Sequence, residues 1–168
     1  MRKLVVTEFM SLDGVIENPA WTFPYWNDEI AQFKSEETSA SDALLLGRVT
    51  YEGFAASWPQ RGSADGGDYF NGVRKYVVTS TLDRLEWNNS VMVKGDLVEE
   101  INKIKQSEGT NITVHGSVSL VQALLQHHLV DTLRLLMYPV VLGTGKRMFD
   151  DGMTAKFNLV ESRSLNKG

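Results

Sequence analysis

The chain has 168 residues, of which 42% are hydrophobic and 23% charged, with a net charge of −4 and no cysteine. That composition suits one globular domain over residues 1–168, long enough to bury a core. It makes no electrostatic case for nucleic acid as the partner, and it excludes disulfides, thiolate metal sites and a cysteine nucleophile.

The start, Met1-Arg2-Lys3-Leu4-Val5-Val6, has no signal-peptide apolar region, and no apolar run reaches membrane-spanning length. A cytoplasmic protein with no membrane partner is expected. Leu4 to Met10 reads as a strand, closed by the Asp-Gly turn of Ser11-Leu12-Asp13-Gly14-Val15-Ile16. Trp21, Phe23, Tyr25 and Trp26 then crowd a stretch broken by Pro19 and Pro24. Such a group serves a core or the wall of a pocket for a flat heterocycle, with Trp21 and Trp26 as substrate-binding candidates. Glu29 to Thr38 is a helix with Phe33 among its apolar positions.

Ala43 to Leu46 belongs to an apolar run without polar alternation, the pattern of a buried strand. Gly47 turns it, and Arg48-Val49-Thr50 opens a helix that runs to about Ala56. Asp65 to Asn71 is a short helix after the flexible 62–67 loop, and Lys75 to Thr79 is a strand ending in the hydroxyls Thr79, Ser80 and Thr81. Val91 to Val93 is a short strand, and Leu97 to Gln106 an amphipathic helix. Ile112 to His115 is again a strand, turned by Gly116 into a helix from Ser119 to His127, with Ser117 or Ser119 as its cap. Thr132 to Pro139 and Phe157 to Ser162 are the last strands. Strand–helix alternation with short links implies a mainly parallel sheet covered on both faces. The last two strands, with no helix between them, are expected to pair antiparallel.

Three strand ends carry the chemistry. A helix N-terminus presents unpaired N–H groups and the positive end of a dipole, so it attracts phosphate. Gly47, Arg48, Val49 and Thr50 form one such start, with a guanidinium for a second phosphate group. His115, Gly116, Ser117, Val118 and Ser119 form another. Thr79, Ser80 and Thr81 lie where ligands sit in open parallel sheets, beyond the carboxyl ends of the strands. Nothing resembles a zinc triad among His115, His127 and His128, and no metal is expected.

The unit Gly47-Arg48-Val49-Thr50-Tyr51-Glu52 resembles the Gly-Arg-x-Thr-(Trp/Tyr)-Glu element of the dihydrofolate reductase superfamily, where it holds the phosphates of NADPH. Gly116-Ser117-Val118 is similar to a second turn of that superfamily, with Ser117 and Val118 where folate reductases often carry more glycine. Pro139-Val140-Val141-Leu142-Gly143-Thr144-Gly145-Lys146-Arg147-Met148-Phe149, preceded by Leu129 to Arg134, resembles the carboxyl-terminal reductase domain of riboflavin biosynthesis and its free-standing relatives. The likeness runs from Ser11 to about Phe149.

It implies a three-layer α/β/α dihydrofolate reductase-like fold, NADPH as cofactor, and hydride transfer to a small planar heterocyclic or carbonyl substrate. It implies that the Ser11–Ile16 segment lines the nicotinamide and closes over it, which makes Asp13 a catalytic candidate. Counting back from Phe33-Lys34 makes Glu29 the other, and Tyr51 joins the substrate-binding candidates. A homodimer is expected from the same likeness.

Two rivals remain. One is the 5-amino-6-(5-phosphoribosylamino)uracil reductase of riboflavin biosynthesis, with Lys146, Arg147 or Arg61 for the ribose phosphate. Tyr51-Glu52-Gly53-Phe54 stands where that enzyme tends to carry Asp-Asp-Pro, and the deaminase signature that often precedes it needs cysteines this chain lacks. The other rival is a non-catalytic NADP(H)-binding protein.

Overall fold

The structure, a computed structural model, describes residues 1–166. Its strands are β1 (Leu4–Ser11), β2 (Ser41–Gly47), β3 (Arg74–Val78), β4 (Ser90–Val93), β5 (Asn111–His115) and β6 (Thr132–Tyr138). They form one sheet in the order β4-β3-β2-β5-β1-β6. Every pairing is parallel. The helices are α1 (Asp28–Ser39), α2 (Arg48–Ser57), α3 (Gly67–Gly72), α4 (Leu97–Gln106) and α5 (Val118–Gln126).

Alternation along the strands sorts the core into two layers. Leu4, Val6, Leu45, Ile112 and Val114 face α4 and α5, where Ile101, Leu120, Val121 and Leu124 cover them. Leu44 and Leu46 face the other way, against Tyr51 of α2 and Phe70 of α3. Leu136 and Tyr138 join Ile30 of α1 on that same side, with Phe9 and Phe33 packed around them. A sheet covered on both faces needs the continuous apolar runs that β2 and β5 show.

The expected antiparallel ribbon at the end of the chain is not there. β6 runs parallel to β1 along seven paired positions from Val5↔Thr132 to Ser11↔Tyr138. The chain reaches β6 from β5 through α5, and a helical crossover leaves the two strands parallel. Residues 157–162 form no strand. Leu159 and Val160 are 85% and 94% exposed, so no apolar face of that segment is drawn onto the sheet.

One feature of the topology places the site. β2 and β5 are neighbours, but β2 leads outward to β3 while β5 leads to β6 at the opposite edge. Their exits diverge, which opens a crevice at the carboxyl ends of these two strands.

Candidate functional site

The two glycine turns meet in that crevice. Gly47 ends β2 and Gly116 follows β5, and they are tied together by reciprocal hydrogen bonds. The Gly47 N–H donates to Ser117 Oγ at 2.9 Å, and the Ser117 N–H donates to Thr50 Oγ1 at 2.8 Å. Ser117 Oγ in turn donates to the His115 carbonyl at 3.0 Å. Gly116 and Ser117 are both left-handed, at φ 53° and 57°. A side chain at 116 is excluded, because its Cβ would lie 2.9 Å from Thr50 Oγ1.

Side chains cap α1 and α4 but not α2, α3 or α5. α1 is capped by the Asn27 side chain, which accepts the Ile30 N–H, and α4 by Asp96, which accepts the Glu99 N–H. Neither α2 nor α5 has a side-chain cap. The first-turn N–H groups of Arg48, Val49 and Thr50, and those of Val118 and Ser119, therefore lie side by side without side-chain acceptors. Two positive dipole ends converge here, an arrangement suited to a diphosphate.

The neighbouring strand ends extend this rim. Gly47 pairs with Val78 and Val78 with Val93, which sets Thr79 beside the Gly47 turn and Lys94 one strand farther out. Thr79 Oγ1 accepts the Thr81 and Leu82 N–H groups, each at 3.2 Å; Ser80 and Thr81 are exposed. Arg48 is half-exposed and bound to Glu52 at 2.9 Å. Lys94 is an exposed cation that sequence reading passed over; its signal was a basic residue directly after a short strand.

The first strand ends in a locked turn. Asp13 accepts from Ser11 Oγ at 2.6 Å, from the Leu142 N–H at 3.1 Å and from the Gly143 N–H at 2.8 Å. These donors hold its carboxyl down to about 2. Arg147 Nε donates to the Asp13 carbonyl at 2.9 Å, and Val15 bridges Arg147. Asp13 is thus an ionised clamp with its oxygens occupied, which is the wrong state for giving up a proton. Lys146 and Arg147 belong to the same clamp, as the Lys146 N–H donates to Glu17.

Among the described residues, the other predicted side chains make no hydrogen bond to the two glycine turns. Tyr51 is buried in the core, its hydroxyl accepting the Trp87 N–H at 3.0 Å, and it does not line a substrate surface. Trp21 packs edge-on against Tyr138 at 5.5 Å; Trp26 is 48% exposed. Glu29 is exposed at the start of α1, accepting the Asn166 N–H at 2.7 Å.

The buried carboxylates are Glu8 and Glu37 instead. Glu37 meets Lys34, and Thr7 Oγ1 donates to it at 3.1 Å, with Arg134 at 3.5 Å. Burial pushes Glu8 well above the usual carboxylate range despite Lys34 and the Gly116 N–H nearby. His115 lies against Phe54 and Phe70 at 6.1 and 5.9 Å. Burial, aided by the Lys34 ammonium, holds its imidazole well below the ordinary range, so it is neutral. The sequence signal for Glu8 was a charge inside an otherwise apolar strand.

Two shallow depressions, of about 330 and 360 Å³, lie elsewhere on the surface. One is at the amino ends of the strands around Arg2, Lys3 and Arg134. The other lies between the end of α5 and residues 150–155. Neither contains a predicted site residue.

Comparison with known proteins then gives the kinship. A family model described as the RibD C-terminal domain matches residues 2–168. The uncharacterized protein YyaP of Bacillus subtilis (strain 168) is 27% identical over 173 residues, which span 99% of this chain and 91% of that protein. A protein of Shewanella sp. PV-4 named for riboflavin biosynthesis has a similar structure, with TM-score 0.76 and 22% identity over 96% of this chain and 91% of that one. Dihydrofolate reductase of Enterococcus faecalis, complexed with NADP(H) and RAB-propyl, superposes with TM-score 0.57 and 21% identity over 89% and 77% of the two chains. The diaminohydroxyphosphoribosylaminopyrimidine deaminase/5-amino-6-(5-phosphoribosylamino)uracil reductase of Thermotoga maritima does so with TM-score 0.67 and 17% identity. It covers 98% of this chain but 54% of the longer one.

Proposed function

The chain belongs to the RibD C-terminal domain family, and we propose that it is an NADP(H)-dependent reductase acting on a small planar heterocyclic or carbonyl compound. The observation that carries this reading is the pair of uncapped helix starts, α2 and α5, brought together at the switch point of the sheet. A dinucleotide's diphosphate is the ligand that needs two such groups of N–H donors at once.

The residues present fit that cofactor. The N–H groups of α2 and α5 would receive the diphosphate. Arg48, Thr79 and Lys94, along the rim toward β4, would receive the additional phosphate that separates NADPH from NADH. Bound there, NADPH supplies the hydride. The chain's own share is to orient the cofactor and to hold a substrate against the rim.

Toward β1, Thr7, Phe9 and the neutral His115 share the sheet face that α1 and α2 cover, so this layer backs the rim from within the core. Asp13 and its clamp would fix the end of the rim beside β1. From the family likeness alone, we further propose that the chain pairs as a homodimer.

Fluorescence titration of the purified protein with NADPH and with NADH tests the proposal. Saturable NADPH binding that NADH does not match is expected. Failure of both to bind overturns it.

A further inference from the structure

Ser117 has a backbone conformation that disfavours any side chain and a hydroxyl whose proton is already committed. At φ 57° it is one of four non-glycine residues in the left-handed region among the described residues; that region crowds Cβ against the following carbonyl. Its Oγ accepts the Gly47 N–H at 2.9 Å and donates its proton to the His115 carbonyl at 3.0 Å. Its N–H is spent on Thr50 Oγ1 at 2.8 Å. A hydroxyl that gives its proton to a main-chain carbonyl cannot also donate it to a phosphate.

Thr50 is in the complementary position. Its Oγ1 accepts from Ser117, yet among the described residues nothing accepts the Thr50 hydroxyl proton. That proton lies at the first turn of α2, among N–H groups that no side chain caps.

We infer that Ser117 is a positioning residue of the dinucleotide site: it bolts the β2 and β5 turns together and leaves the oriented Thr50 hydroxyl as the donor to the anion. The inference rests on the reductase reading above and assigns different duties to two residues which that reading leaves together. Ser117 holds geometry, and Thr50 touches the ligand. The bolt joins the two strand ends just beyond their last paired residues, Leu45 and Val114, where the ladder has stopped and the connections diverge. A diphosphate needs both groups of donors at one separation, so loss of the bolt shows in affinity before it shows in folding.

The test compares NADPH affinity with stability in the full chain carrying Ser117→Ala, Ser117→Gly, Thr50→Val and Thr50→Ser. Ser117→Ala and Thr50→Val are each expected to weaken NADPH binding about tenfold or more, while Thr50→Ser stays close to wild type. Ser117→Gly relieves the left-handed strain, so it melts no lower than Ser117→Ala but binds NADPH as weakly. Amide exchange reads the bolt without any cofactor. The Gly47 N–H loses protection in both Ser117 variants, and the Ser117 N–H loses it in Thr50→Val.

Wild-type affinity in both Ser117 variants, with wild-type protein binding NADPH, overturns the positioning role alone. Affinity that merely follows melting temperature across the four variants also overturns it. A wild type that binds no NADPH overturns the reductase reading and this role with it.

Discussion

The Ser117 N–H and Thr50 Oγ1 meet at 2.8 Å across 67 residues of chain, and the residue between β5 and Ser117 must be glycine for them to do so. Gly116 is at φ 53°, and a Cβ there would sit 2.9 Å from the same Thr50 Oγ1. Gly116→Ala therefore meets strain and collision together, which should cost about 1–3 kcal/mol and abolish measurable NADPH binding. Gly53→Ala is the control, because nothing lies within 4 Å of its added Cβ and α2 should gain about 0.5–1 kcal/mol from it. Urea denaturation of both variants checks the contrast; equal stabilities would refute the steric account.

Arg48 and Glu52 are about equally exposed and bonded at 2.9 Å on the first turns of α2. An exposed pair of this kind contributes about 0–1 kcal/mol, so Arg48→Ala should leave stability nearly unchanged. Its expected effect is on the cofactor: about tenfold weaker NADPH binding, with NADH affinity unmoved. Glu52→Gln makes the opposite prediction. It removes the carboxylate that competes for the guanidinium, and NADPH should bind more tightly, most visibly at low salt. Paired titrations at two ionic strengths decide the matter; weaker NADPH binding by Glu52→Gln would contradict the assigned role.

The turns were legible because an apolar run that ends at glycine leaves few local alternatives. The side chains beside them were less so. Thr50 and Tyr51 are adjacent in the motif but about 100° apart around the helix, so one reaches the neighbouring turn while the other enters the core. Motif membership carries no information about that rotation. Counting back from Phe33-Lys34 led to Glu29, whereas the carboxylate that α1 buries is Glu37. Glu37 is placed by Thr7, Lys34 and Arg134, two of them on other elements, and such long-range pairing has no local signature. The direction of β6 was misread for a similar reason. The missing helix after it was visible, but its partner was β1, at the other end of the chain.

Asp13 links the end of β1 to the 142–143 backbone, with its carboxyl held at about 2. A carboxylate whose folded pKa is depressed stabilises the fold above the ordinary range near 4 and loses that contribution as pH falls toward 2. Asp13→Asn should therefore lie below wild type at pH 5 and converge on it near pH 2. In Asp13→Ala the Leu142 and Gly143 amides lose their acceptor and should exchange faster, with the amides of β5 unaffected. Unchanged exchange at Leu142 and Gly143 would remove Asp13 from the clamp.

Lys75 carries a buried charge that the proposed reaction does not use. Its Nζ donates to the carbonyls of Asn71, Val73 and Asn88 at 3.2, 2.8 and 2.9 Å and lies 4.1 Å from the centre of the Trp87 ring. Burial lowers its pKa to about 8, against about 10.4 for a lysine in the unfolded chain. Between these values the folded state binds fewer protons than the unfolded one, so this group makes stability rise with pH from about 8 to about 10.4. The gain over that window is on the order of 3 kcal/mol. Below pH 8 the cost of burying the ammonium is carried in full and offset by the three carbonyl bonds. Lys75→Met abolishes the titration and deprives those carbonyls of their donor. The wild type should thus pull further ahead of Lys75→Met at pH 10 than at pH 7.5, whichever is the more stable at the lower pH. Urea midpoints for both proteins at the two pH values measure the change, and parallel pH profiles would mean that Lys75 is solvated in the folded state.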